Sequence, residues 1–289
     1  MSTETHSLAL AQRYLEVGQP RRTLDTLEHM DGAQVESPDA WRLRAAAFYG
    51  LEEHDRAASA ARQGLERAPD WMPLLFLLSV SEDARGNLGE AERAILVALE
   101  QDPQDAELLA FYAQLLLRGG QVEKAERVID QAAELAPDSP DVLRSRISLS
   151  YIQGDDKAGA RYSEQLLALD PEDATGHRLL GAFKWQTAGA GDAVGHLMEA
   201  ARRDPGDRHA VEAAREARCA THPLMRPLWP VDRFGVATTW VAAVGTLFAL
   251  RAAGLSAVAG PLGLLWLSYC AYSWIIPAWV RRRVERELP

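Results

Sequence analysis

Two patterns of hydrophobic and polar positions divide the chain. Up to about Cys219, small and apolar residues recur inside runs that read as short helices, with charged residues between them. From Phe234 to Val280 the polar half of the pattern disappears, and Arg251 is the one charge in the stretch. The first region predicts many paired helices, the second a pair of apolar ones.

Proline sets the ruler of the first region. Pro69, Pro103, Pro137, Pro171 and Pro205 stand 34 residues apart, each after a helix-like run. Seventeen residues before them come Glu52, Gly86, Gly120, Gly154 and Ala188, where a tight turn between two helices is expected. Twelve before them come Ala57, Ala91, Ala125, Gly159 and Ala193, small enough for two helices to approach closely. Leu8, Tyr14, Leu15, Gly18, Leu24 and Leu27 extend the pattern into a degenerate first unit, with Thr23 at the small position. In the fourth unit Gly159 and Ser163 are expected to weaken the second helix.

The segments Arg-Gly-Asn-Leu-Gly-Glu-Ala-Glu-Arg-Ala (85–94) and Gly-Gly-Gln-Val-Glu-Lys-Ala-Glu-Arg-Val (119–128) resemble the central turn of the tetratricopeptide repeat (TPR) family. The resemblance implies an all-α fold, a TPR-type helical solenoid. Its units would be a degenerate repeat over 5–37, five repeats over 38–205 and a capping helix over 206–219. In that family the first helix of each unit lines a concave groove through its second, fifth, ninth and twelfth positions. With units starting at Pro38, Met72, Ala106, Pro140 and Ala174, the implied groove residues are Arg42, Tyr49, Phe76, Gln114, Arg144, Tyr151, Arg178 and Trp185. Arg144, Tyr151, Arg178 and Trp185 are expected to be neighbours in adjacent repeats. Guanidinium beside aromatic surface suits a protein or peptide partner of acidic character. The other reading has these side chains pack on each other, Arg over ring, with no ligand. The ninth positions hold no Asn, unlike family members that clamp chaperone tails.

The apolar region predicts a two-helix transmembrane hairpin following the solenoid. Its spans are expected at about 234–250 and 262–280, joined by a turn over Gly254–Pro261. A Pro-rich juxtamembrane linker (220–233) would precede it, and a basic cytoplasmic tail (281–289) would follow. A buried helical hairpin and a re-entrant loop are the alternatives. Arg226 and Arg233 lie before the hairpin and Arg281, Arg282, Arg283 and Arg286 after it. The positive-inside rule then places both ends in the cytoplasm, with two spans in the inner membrane. The start, Met1-Ser-Thr-Glu-Thr-His, has no basic n-region, so no cleavable signal peptide is expected and residues 1–233 would be made in the cytosol.

Composition sharpens this division. The 289 residues carry a net charge of -10, split into -13 before Phe234 and +3 after it. The acidic balance disfavours a nucleic-acid partner. Two Cys exclude a disulfide scaffold. Usage of 28 Arg against 3 Lys is that of a GC-rich bacterial genome. No phosphate loop, dinucleotide fingerprint, metalloprotease helix or nucleophile elbow is present. His177, His196 and His209 fall in neighbouring helices without acidic or Cys partners at ligand spacing. Neither catalysis, nor a cofactor, nor a metal is expected. The function expected is that of a membrane-anchored TPR adaptor or scaffold. The alternative is an accessory subunit of a membrane transport or envelope-assembly complex in which the hairpin does the work.

Overall fold

The computed structural model describes residues 2–30 and 36–287, and among them there is no β-strand. Residues 31–35 of the expected first unit and 288–289 of the expected tail lie outside the described residues. Two compact units divide the chain, one ending at Gln153 and one beginning at Gly154.

The first unit is built from helix pairs. These are α1 (Ser2–Glu16) with α2 (Pro20–Glu28), α3 (Pro38–Gly50) with α4 (His54–Arg67), α5 (Met72–Ala84) with α6 (Leu88–Gln101), and α7 (Ala106–Arg118) with α8 (Val122–Leu135). Helix α9 (Pro140–Gln153) follows them. Side-chain caps start several of these helices: Ser37 accepts from the Ala40 amide, and Asp105 from the amides of Glu107 and Leu108.

Each pair closes with the same turn. Gly18, Glu52, Gly86, Gly120 and Gly154 all have φ between +62° and +80° and stand 34 residues apart. One residue further on, the amide of Gln19 donates to Tyr14, Glu53 to Phe48, Asn87 to Glu82 and Gln121 to Leu116, at 2.8–2.9 Å. This six-to-one bond is the Schellman closure, which needs a left-handed residue just before the donor. Glycine supplies it without a Cβ penalty, whereas Glu52 (φ +62°) does not. Glu52→Gly is expected to stabilise the protein by about 1 kcal/mol, seen as a higher Tm than wild type; an unchanged or lower Tm would show the turn to be unstrained.

The position twelve before each proline forms the helix–helix contact. Ala57, Ala91 and Ala125 have no exposed surface, and Thr23 holds the same place in the first pair. Thr23 fits because its hydroxyl donates to the Ala11 carbonyl at 3.2 Å. The largest apolar cluster joins Ile95, Leu116, Ile129 and their neighbours on α5 to α9.

The second unit contains α10 (Asp156–Leu169), α11 (Ala174–Ala188), α12 (Ala190–Arg203) and α13 (Arg208–Thr221). A 3-10 turn (Pro223–Leu228), α14 (Trp229–Phe234), α15 (Val236–Ala252) and α16 (Ser256–Glu287) complete it. Here the register slips by one: α11 runs through Ala188, and the positive φ (+93°) falls on Gly189. Gly159 proves to be a fitting, not a weakness. The Phe183 ring, 1% exposed, occupies the space a Cβ on Gly159 would need, and three ring carbons lie within 2.7 Å of that point.

Three boundaries of the C-terminal region differ from expectation. The break between α15 and α16 is at Gly254 (φ +77°), where the Leu255 amide donates to Leu250. Pro261 lies inside α16, in its second turn, so the Ala257 carbonyl goes without its intrahelical amide. The expected tail is helix as far as Glu287, and Val280 and Val284 are buried. They pack against Leu197 of α12 and Val211, Ala214 and Ala217 of α13. The expected cap, α13, is therefore itself covered by the end of α16. The Pro-rich linker is strapped to α16 as well: Tyr272 donates to the Leu224 carbonyl at 2.6 Å and Tyr269 to Pro227 at 3.0 Å.

Among the described residues α16 is the one helix long and apolar enough to cross a membrane, with a mean hydropathy of 1.2 over an 18-residue window. The 17 residues of α15 reach about 25 Å at ~1.5 Å each, short of a hydrocarbon core of ~30 Å. The structure thus holds one helix of spanning length where the sequence pattern predicts two.

Candidate functional site

In the first unit the leading helices of successive pairs lie side by side, and their side chains form a ladder. Arg42 on α3 donates to Gln12 on α1 at 2.5 Å and lies 4.0 Å from Asp39. Phe76 on α5 meets Phe111 on α7 edge to face, 5.4 Å between centroids. Asp83 on α5 pairs with Arg118 on α7 at 2.6 Å; burial pushes its carboxyl up, against the pull of that guanidinium. Gln114 on α7 reaches Ser145 on α9 at 3.4 Å, and Ser145 donates to the Ala110 carbonyl. Arg144 pairs with Asp141 at 3.2 Å. Tyr49, 39% exposed, tilts over His54, and Tyr151 is 69% exposed. These contacts join the predicted residues to helix neighbours more than to one another.

In the second unit two predicted residues come together. Arg178 and Trp185 on α11 line one cleft of ≈ 430 Å³ with Ala182, the ninth position of the same repeat. The opposite wall is α13, which contributes His209, Ala213 and Glu216. Asp207 caps α13 by accepting from the His209 and Ala210 amides, and its other carboxylate oxygen lies 3.4 Å from Arg178 Nε. Arg178 is thus held across the cleft at a helix start. Trp185 is half-buried, packed against the apolar cluster that also holds Val280 and Val284. Arg144 and Tyr151 belong to the first unit and Arg178 and Trp185 to the second.

The α13 wall is absent from the sequence-based groove because the pattern there reads as a cap. Its register is nonetheless present: Arg208 stands 34 residues after Ala174, which makes His209 and Glu216 second and ninth positions of a further unit. The pairing also removes the excess positive charge behind the expected acidic partner. Arg144 and Arg178 each have a carboxylate within 3.4 Å, Arg42 has one at 4.0 Å, and Glu216 faces the cleft.

No cluster of three His, Cys, Asp or Glu residues able to hold a metal exists among the described residues. His177 and His196 stack with Nδ1 atoms 3.2 Å apart. Burial, then Lys184 and His177, lower the His196 pKa, which favours a neutral ring. His209 belongs to the cleft instead. Burial also pushes the Cys219 thiol up, the reverse of an activated nucleophile.

This geometry is that of a helical-repeat solenoid. Residues 84–147 match the model of the tetratricopeptide repeat family. The TPR repeat-containing protein PA4667 of Pseudomonas aeruginosa is 28% identical over 156 residues, 52% of this chain. The match spans 26% of that relative's own length. In fold, the chain is similar to PilW, a widely conserved type IV pilus biogenesis factor (17% identity, TM-score 0.61, 73% of this chain and 97% of PilW). It is also similar to TTC0263, a thermophilic TPR protein of Thermus thermophilus (17% identity, TM-score 0.55, 62% and 98%). Such repeats serve protein–protein interaction, and nothing in these likenesses points to catalysis.

Proposed function

We propose that the protein is an adaptor that holds a protein partner at a membrane, with the α11–α13 cleft as a principal contact. The observation that carries this reading is the convergence of Arg178, Ala182 and Trp185 from one repeat with His209 and Glu216 from the next helix of the register. A half-buried indole, a guanidinium and a carboxylate around one cleft suit a segment that inserts an apolar side chain and brings charges of both signs. The remaining groove residues, Arg42, Tyr49, Phe76, Gln114, Arg144 and Tyr151, would line a contact surface on the first unit.

Anchoring rests on α16, whose stretch before Val280 is apolar and carries exposed Leu264, Leu265, Leu267, Trp274 and Ile275. Arg281, Arg282, Arg283 and Arg286 follow it and favour a cytoplasmic C-terminus, with the repeats on the same side. A bacterial inner membrane with α15 as a second, short span is the arrangement this supports. The second reading, an accessory subunit of an envelope-assembly complex, draws on the pilus-biogenesis description of PilW, with which the likeness is one of fold.

The test is affinity capture from detergent-solubilised membranes. Arg178→Glu with Trp185→Ala should reduce recovery of the partner at least about ten-fold, since two central contacts are lost. Arg144→Glu, in the other unit, should reduce it less. Equal recovery with wild type and the cleft variant would remove the cleft from the binding surface.

A further inference from the structure

Arg251 is the only charged residue between Phe234 and Val280. It lies one residue from the end of α15 and, among the described residues, makes no ion pair or side-chain hydrogen bond. The apolar stretch contains no Asp or Glu, so these helices cannot neutralise it themselves. An ionised guanidinium in or near hydrocarbon needs a charged partner or a path to the headgroup layer. Helix α15 is too short to deliver it there unaided, at about 25 Å against ~30 Å.

Beside Arg251 the two helices part. A cleft of ≈ 590 Å³ between α15 and α16 is lined by Arg251, Phe248, Gly260, Gly263 and Leu267 among others. The furrow is open at two glycines: a Cβ on Gly260 or Gly263 would meet no atom within 4 Å. One end of the cleft is therefore cationic and the rest is apolar, with no carboxylate in its lining.

We propose that this cleft binds a glycerophospholipid, with the phosphate on Arg251 and an acyl chain along the furrow at Gly260 and Gly263. A guanidinium offers a planar fork matched to phosphate oxygens. An unbranched chain suits an apolar furrow that is open at Gly260 and Gly263. The bound phosphate also resolves the length problem, since the Arg side chain reaches toward the headgroups while the lipid settles toward it. The proposal rests on the membrane-anchor reading.

The experiment uses the full chain, delipidated in detergent and titrated with dioleoyl phosphatidylglycerol by native mass spectrometry. Dioleoylglycerol, with the same chains and no phosphate, and glycerol 3-phosphate, with no chains, are the comparison arms. The lipid should bind at least about ten-fold more tightly than either, the scale of one charge-assisted bond. Arg251→Gln should weaken lipid binding about as much, Arg251→Lys should keep most of it, and Gly263→Leu should weaken it with the charge in place. Equal binding of dioleoylglycerol, or no effect of Arg251→Gln, overturns the phosphate site. Equal binding of glycerol 3-phosphate overturns the acyl furrow. Lipid binding unaffected by Arg251→Gln, with loss of a co-purifying protein, assigns Arg251 to a partner helix and overturns the proposal. Carbonate extraction of cell membranes separates the two readings: release of wild type defeats the anchor, whereas a retained protein with negative titrations defeats only the lipid site.

Discussion

Truncating Phe183 to alanine is expected to cost about 3–5 kcal/mol, the range for emptying a buried aromatic site. The ring is 1% exposed and fills the notch left by Gly159 on the facing helix. The same contact read from the other side predicts that Gly159→Ala is destabilising by about 1–3 kcal/mol, although alanine is the better helix former by ~1 kcal/mol. Overpacking wins because the obstacle is a rigid ring in a buried site, not the end of a flexible chain. Combining Gly159→Ala with Phe183→Leu should recover part of the loss, because the smaller side chain vacates the notch. Denaturant melts of the three variants check this. A Gly159→Ala protein more stable than wild type would mean that helix propensity governs the site and that the ring moves freely.

Replacing Glu82 by alanine is the second large loss expected, about 3 kcal/mol, at the low end of the range for breaking a buried pair. The Glu82 side chain is fully buried on α5. Its carboxylate accepts from Arg62 of α4, from Arg85 at 2.7 Å and from Asn87 at 2.7 Å. Removing the carboxylate strands three donors at the seam between consecutive pairs. Both guanidiniums are part-exposed, Arg62 at 48% and Arg85 at 30%, and water relieves some of that loss. Glu82→Gln keeps the shape and two acceptor lone pairs and should cost less than half as much in the same melt. Equal losses for the two variants would assign the effect to packing, and no loss in either would show that water replaces the carboxylate.

The repeat is legible in the sequence because its cause is local. A left-handed residue every 34 positions is a backbone requirement, and glycine announces it at Gly18, Gly86, Gly120 and Gly154. Glu52 shows that the requirement outlasts the residue that signals it. The slip to Gly189 is not legible, because Ala188 fits a helix as well as a turn and only packing decides where α11 stops. Glu82 stays hidden for a similar reason. A carboxylate on a helix in an acidic chain reads as solvated until the guanidiniums from elsewhere are in place. At the candidate site, the register alone finds Arg178 and Trp185, while His209 and Glu216 drop out once α13 is treated as an ending. The C-terminal boundaries differ because apolar runs announce lipid-like composition, not helix ends. Gly260-Pro261 has the look of a turn, yet α16 runs through Pro261 and the left-handed closure belongs to Gly254.

The burial of Val280 and Val284 against α12 and α13 also fixes an order of events during synthesis. A ribosome delivers the repeats first and the end of α16 last. Through most of translation the face of Val211, Ala214 and Ala217 has no covering, because the residues that close it have not been made. That face stays open until the last turns of α16 are made, and a chain cut before Val280 is left with an unsealed apolar end. Chaperones and proteases recognise such an end. The helix with the longest apolar stretch thus also closes the last repeats.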